Sequence, residues 1–166
     1  ITFNKLAAGE RKRRRDLRDM PTLTIDAPYS RDLDDAVAAL EADPDGGVRL
    51  LVSIADVDAL VPRGSDLDRE ARLRGTSVYL AGRVIPMIPP ELSEDALSLL
   101  PGVDRPTLTA ELRIDPEGNV TAVDMYESVI RSNSRLSYAQ VDDWMAGDDS
   151  AVPADLIATL RWLRTI

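Results

Sequence analysis

The sequence predicts an α+β domain, a mixed, largely antiparallel sheet with helices packed against it. Three observations predict it. Two pairs of apolar, strand-like runs flank the turn-forming clusters Asp43-Pro44-Asp45-Gly46-Gly47 and Asp115-Pro116-Glu117-Gly118-Asn119, the pattern of antiparallel hairpins. Ser65 with Asp68, and Ser137 with Gln140, mark two helix N-termini by side-chain capping. The chain has 166 residues, 44% hydrophobic and 30% charged, enough for one domain with a core but not comfortably two.

Taken in order, residues 5–19 are polar and helix-prone and lead to Pro21. Thr22-Leu23-Thr24-Ile25-Asp26 alternates and is rich in β-branched side chains, so it reads as a short strand, followed by a loop over 27–35. Residues 36–40 and 48–55 form the first hairpin around the Asp43–Gly47 turn. Ser65 opens a helix over 65–75 that Gly75 closes. Residues 78–90 carry Pro86, Pro89 and Pro90 and read as an irregular extended loop, with a short helix over 91–100. The second hairpin joins 107–114 to 120–131. The Ser137–Gln140 capping box starts a helix through Met145, and Pro153 starts another with Leu156, Leu160 and Leu163 on one face. Trp144 and Trp162 sit among apolar neighbours in these two helices, as core residues do. The organisation is a basic lead-in over 1–20 and a domain body over 21–166.

Composition narrows the chemistry. With no Cys and no His, the chain offers no disulfide, no Cys/His zinc site, no thiol nucleophile and no imidazole base. Chemistry must come from carboxylates, hydroxyls, Lys, Arg or a hard ion such as Mg²⁺, Mn²⁺ or Ca²⁺. No apolar run is long enough to span a membrane, and Ile1-Thr2-Phe3-Asn4 does not open a secretory signal. The absence of Cys fits a cytoplasmic protein. The absence of an initiator Met suggests a chain that begins inside a longer protein. Net charge is −9, but residues 1–20 hold seven basic residues against three acidic ones, +4, leaving −13 for the body. Such a run either touches phosphate or forms a solvated terminal helix.

The sharpest feature is Asp26-Ala-Pro-Tyr-Ser-Arg-Asp32-Leu-Asp34-Asp35-Ala36, four carboxylates on a strand end and the loop after it. Fully extended, Asp26 and Asp32 would stand about 20 Å apart. Pro28 and Ser30 let the chain turn back. Two unit charges at about 5 Å repel by roughly 3 kcal/mol at an effective dielectric of about 20, so a convergent cluster calls for a cation. One or two Mg²⁺ ions, with Mn²⁺ as a substitute, would offset that repulsion and could clamp the attacking water and leaving oxygen of a phosphodiester. On residue chemistry alone, a solvated turn or helix cap stays open. A calcium EF-hand loop does not, because the sixth and twelfth positions counted from Asp32 are Val37 and Asp43 instead of Gly and Glu.

The motif continues along the chain. Ser53-Ile54-Ala55-Asp56-Val57, Leu67-Asp68-Arg69-Glu70-Ala71, Arg74-Gly75-Thr76-Ser77-Val78-Tyr79, Val84-Ile85-Pro86-Met87-Ile88-Pro89, Leu92-Ser93, Ser98-Leu99 and Arg135-Leu136-Ser137-Tyr138 follow in order. Together with the aspartates, this series resembles the catalytic (RNB) domain of the ribonuclease II/R family, over roughly residues 15–145 and the N-terminal half of that domain. The resemblance implies a Mg²⁺-dependent, processive 3′→5′ exoribonuclease that hydrolyses single-stranded RNA to nucleoside 5′-monophosphates by two-metal catalysis. By position, Asp26, Asp32, Asp34 and Asp35 match metal-site aspartates, with Asp34 and Asp35 in catalysis and Asp34 tied most closely to cleavage. Tyr79 matches an aromatic that stacks near the RNA 3′ end, and Tyr138 a tyrosine that helps set product length. Asp56 is either an outer support of the site or a structural cap. A second aromatic clamp, a catalytic glutamate and arginine, the S1 domain and the cold-shock-type domains have no counterpart here. The expected partners are therefore single-stranded RNA and those missing parts, on the same protein or a second chain. The rival readings are a catalytically silent RNA-binding module of the same fold and a metal-dependent hydrolase of small nucleotides.

Overall fold

The computed structural model describes residues 6–42 and 46–166. A seven-stranded sheet forms its frame. The strands are β1 (Arg15–Asp16), β2 (Leu23–Asp26), β3 (Asp35–Glu41), β4 (Val48–Ala55), β7 (Asp104–Ile114), β8 (Val120–Arg131) and β9 (Ser134–Ser137). Their spatial order is β1-β8-β7-β4-β3-β2-β9. The pairs β8-β7-β4-β3-β2 are antiparallel, and both outer pairs, β1 with β8 and β2 with β9, are parallel. The mixed, largely antiparallel sheet is therefore present.

Both hairpins form. β3 and β4 pair from Asp35↔Ile54 to Glu41↔Val48. Gly46 and Gly47 take positive φ in the connection, while Asp43, Pro44 and Asp45 of the expected turn lie outside the described residues. At the other hairpin, Asp115 Oδ1 accepts from the Asn119 amide at 2.7 Å, a side chain closing its own turn. The helices α2 (Asp66–Arg74) and α3 (Tyr138–Met145) start at the expected caps. Ser65 accepts from the Asp68 amide, Gly75 ends α2 at φ 71°, and Ser137 and Gln140 complete a reciprocal capping box. After a short 3₁₀ turn, α4 (Ile157–Thr165) closes the chain.

Three expectations are corrected. The helix expected over 5–19 is α1 (Ala8–Arg13) only, because Arg14 turns extended and β1 joins the sheet edge. The buried Arg14 side chain reaches the carbonyls of Thr107 and Ser128, a tertiary attachment that overrides local helix preference. The irregular loop expected over 78–90 contains a two-stranded hairpin, β5 (Val78–Leu80) with β6 (Arg83–Ile85). All three prolines follow Ile85, so none removes a donor from that ladder. The short helix expected over 91–100 is a π-helix at Glu91–Ala96. The sequence does not signal β9, since four residues give too little alternation to stand out.

The core lies on both faces of the sheet. Alternate residues of β3 point opposite ways: Ala36 and Ala38 join Leu33, Leu51, Leu97, Leu99 and Ile130, whereas Val37 packs with Leu23, Leu136, Trp144, Leu156 and Leu160 under α3 and α4. Trp144 is buried and Trp162 partly buried, as core residues. Among the described residues no helix is long and apolar enough to cross a membrane.

Candidate active site

β2 ends at Asp26 and β3 begins at Asp35, so the sheet places the first and last aspartates of the motif at the two rims of one loop. That loop is short and heavily fastened. The Ser30 amide donates to Ala27 O at 3.0 Å, turning the chain back where Pro28 and Ser30 suggested it could turn. Arg135 of β9 donates to the carbonyls of Ala27 at 2.9 Å and Pro28 at 2.8 Å. At the far end, the Ala55 amide donates to Asp34 O at 2.9 Å. Between Asp32 and Asp34, the Leu33 side chain is fully buried in the core. The loop thus sends its apolar residue inward and leaves its acids at the surface, Asp34 and Asp35 exposed and Asp26 and Asp32 partly so.

The four carboxylates feel one another. Asp34 is exposed as a residue, yet protein flanks its carboxyl enough to strip part of its hydration. That desolvation and the charges of Asp32, Asp35 and Asp26 all push its pKa up. Asp26 is pushed up by burial first, then by Asp35, with Arg135 opposing. Among the described residues, however, no three carboxylates stand close enough to form a metal-ligating group. The donor set nonetheless fits a hard divalent ion in kind: all oxygen, no His or Cys, and a mutual repulsion that a cation would relieve.

Tyr79 of β5 comes to the same place. Its hydroxyl donates to Asp32 Oδ2 at 2.8 Å while the residue remains 66% exposed, and this hydrogen bond is the main reason its pKa is raised. A groove of about 700 Å³ runs past this pair and is lined by Tyr29, Arg31, Asp32, Tyr79, Arg83 and Glu94 among others. Asp26, Asp34, Asp35 and Tyr138 do not line it. Tyr138 opens α3 immediately after Ser137, the register partner of Asp26, and is exposed. The structure therefore joins Tyr79 to the aspartate loop by a direct bond and leaves Tyr138 beside the end of β2.

Asp56 is a structural residue. It accepts from the buried Arg14 guanidinium at 2.5 Å and from the Ala59 amide at 3.3 Å. Arg135 is the functional neighbour that residue reasoning missed. Its signal was faint, a lone cation in the stretch that ends at Tyr138. Its grip on the loop depends on β9 lying parallel to β2.

The RNB domain model matches residues 14–166. Ribonuclease R of Thermotoga maritima is 44% identical over 151 residues, covering 89% of this chain and 21% of that protein. Ribonuclease R of Escherichia coli is 47% identical over 133 residues, covering 80% and 16%. The chain thus spans about a fifth or less of the length of these curated relatives. The structure of Mycoplasma genitalium RNase R in complex with double-stranded RNA superposes with a TM-score of 0.89 at 34% identity, over 98% of this chain and 29% of that one. Yeast Ssd1, a pseudonuclease, shares the fold with a TM-score of 0.80 at 21% identity, over 96% of this chain and 20% of that one.

Proposed function

The chain belongs to the RNB domain family, and from that premise we propose that it forms the metal-binding part of a cytoplasmic, Mg²⁺-dependent, processive 3′→5′ exoribonuclease that hydrolyses single-stranded RNA to nucleoside 5′-monophosphates. The observation that carries this reading is the junction of two features in one place. Four mutually repelling aspartates crowd a fastened loop, and an exposed tyrosine on a groove is bonded to one of them. The first feature suits a hard cation, and the second suits a stacked base. The Ribonuclease R relatives support the exoribonuclease reading.

Asp26, Asp32, Asp34 and Asp35 would hold one or two Mg²⁺ ions, with Mn²⁺ as a substitute. Bound there, such ions supply an activated water and charge stabilisation at the leaving 3′ oxygen. The chain's own residues do the rest. Asp34, fixed through its carbonyl to β4, sets the position of the attacking group. Tyr79 offers a ring face to the terminal bases, a contact that tolerates any sequence. Tyr138, next in the chain after the register partner of Asp26, would help set the product length. The fold alone does not decide activity, since the yeast pseudonuclease shares it. The intact aspartates favour catalysis over a silent RNA-binding module.

The test is Mg²⁺-dependent digestion of a 5′-labelled single-stranded RNA by the full-length protein and its Asp34→Asn variant. Progressive shortening from the 3′ end by the wild type alone is the expected result. RNA bound but left whole by the wild type favours the silent module instead.

A further inference from the structure

Beneath the aspartate loop lies a polar network that the chemistry above does not use. Ser98 follows the π-helix, and its side chain is fully buried. Its hydroxyl donates to Arg31 O at 2.7 Å and accepts from the Leu33 amide at 3.1 Å. The next residue, Leu99, donates its own amide to Leu33 O at 2.9 Å. Leu33 is thus held through its amide, its carbonyl and its buried side chain, and it is the only residue between Asp32 and Asp34. Ser98 is seated in turn by Arg105 of β7, only 3% exposed, which donates to Ser98 O at 2.8 Å and to Asp95 O at 2.7 Å.

Burying a hydroxyl and a guanidinium under a loop is a costly way to fill space. Apolar side chains of similar volume usually do so with equal or greater stability. What the polar pieces add is direction, since a hydrogen bond fixes an amide plane where a methyl group does not. The plane fixed here is the peptide linking Asp32 to Leu33.

We propose that Ser98, seated by Arg105, is the positioning residue of the metal site, fixing the backbone between Asp32 and Asp34 and with it the directions from which their carboxylates would close on a divalent ion. This rests on the functional reading above, and the experiment separates the two.

The full-length protein is compared as wild type, Asp34→Asn, Ser98→Ala, Arg105→Lys and Ser128→Ala. The last removes a buried hydroxyl of β8 that bonds Thr107 and Thr109 at 2.6 Å each and makes no hydrogen bond to Ser98, Arg105 or the aspartate loop. Mn²⁺ affinity is read by electron paramagnetic resonance without RNA, and kcat and KM are read on single-stranded RNA. Ser98→Ala is expected to weaken Mn²⁺ binding and lower kcat by about 10- to 100-fold with KM for RNA unchanged, and Arg105→Lys to do the same more weakly. Ser128→Ala is expected to lower Tm but to keep the wild-type Mn²⁺ affinity and kcat. If Ser98→Ala does not fold, Arg105→Lys decides alone. Wild-type Mn²⁺ affinity and kcat in the folded Ser98 or Arg105 variants overturn the positioning role, while loss in Asp34→Asn keeps the metal reading intact. A wild-type protein that binds no Mn²⁺ overturns both.

Discussion

Two regions of this chain are crowded with charge, and the fold treats them in opposite ways. From Arg13 to Arg18, cations meet carboxylates: Arg13 pairs with Glu127, Arg14 with Glu10 and Asp56, Arg15 with Asp124, and Arg18 with Asp16 and Asp104. Arg15 also lies 3.7 Å over the Tyr126 ring. From Asp26 to Asp35, the charges of neighbouring aspartates push the Asp26 and Asp34 carboxyls up, with Arg135 opposing at Asp26. A fold that neutralises one cluster from its own side chains and leaves another in mutual repulsion marks the second as a place for something else to bind. Residues 13–18 of the basic lead-in therefore attach the chain to the acidic body. Their paired arginines hold α1 and β1 against β8 and the end of β4.

The contrast breaks most visibly at Asp34. Asp34→Asn is expected to lower the RNA-shortening rate by about 10²-fold or more while RNA binding survives, read by single-turnover digestion alongside filter binding. Retention of full cleavage would remove the difference between the two regions. The opposite perturbation is Arg14→Ala. The Arg14 side chain is fully buried, and its loss leaves Asp56 without its guanidinium partner while Glu10 keeps Arg13, so about 3–5 kcal/mol of stability should disappear in urea denaturation. Metal affinity in the surviving folded fraction should stay near the wild-type value.

Tyr79 sharpens the comparison from the RNA side. Tyr79→Ala should weaken single-stranded RNA binding by about 1–3 kcal/mol irrespective of sequence, whereas Tyr79→Phe keeps the stacking face and should lose little. A large loss in Tyr79→Phe would shift the weight from the ring to its bond with Asp32. The smallest effect concerns acid. The Arg49 hydrogen bond holds Glu111 below its ordinary 4.5, against the opposing effect of burial. Burial likewise opposes ionisation of Asp104, but hydrogen bonds from Arg131 and Arg18 outweigh it and hold that carboxyl below 3.8. Both pKa values are lower in the folded state. Their stabilisation, on the order of 1 kcal/mol, is complete above about pH 4.5 and drains away as the pH falls through the folded values. Removing Arg49 should flatten that part of an acid-denaturation curve.

Much of this was legible in the chain because it is local. The turn at Asp115–Asn119, the caps at Ser65 and Ser137 and the strands beside them depend on neighbours within a few residues, and they formed where expected. What escaped is long-range. β1 and β9 are parallel edges whose partners lie more than a hundred residues away, and β9 is what carries Arg135 to the loop. The arginine pairings are of the same kind, since nothing near Arg14 in sequence points to Asp56. The four aspartates were visible as a motif, and so was Tyr79. That its hydroxyl bonds Asp32 required the β5–β6 hairpin, and that Ser98 grips Leu33 required the π-helix.

The unneutralised cluster is proposed to bind a divalent ion that the neutralised one does not need. The most direct test is the Tm of the full-length protein, as wild type and as Asp34→Asn, across a Mg²⁺ titration at constant ionic strength. A ligand that binds only the folded state raises Tm with concentration, by about 2.7 kcal/mol of stability at a hundredfold excess over Kd. The expected result is a rising Tm for the wild type and a flat one for Asp34→Asn, which should start slightly above the wild type without Mg²⁺ because one repelling charge is gone. Parallel curves for the two proteins would contradict the claim.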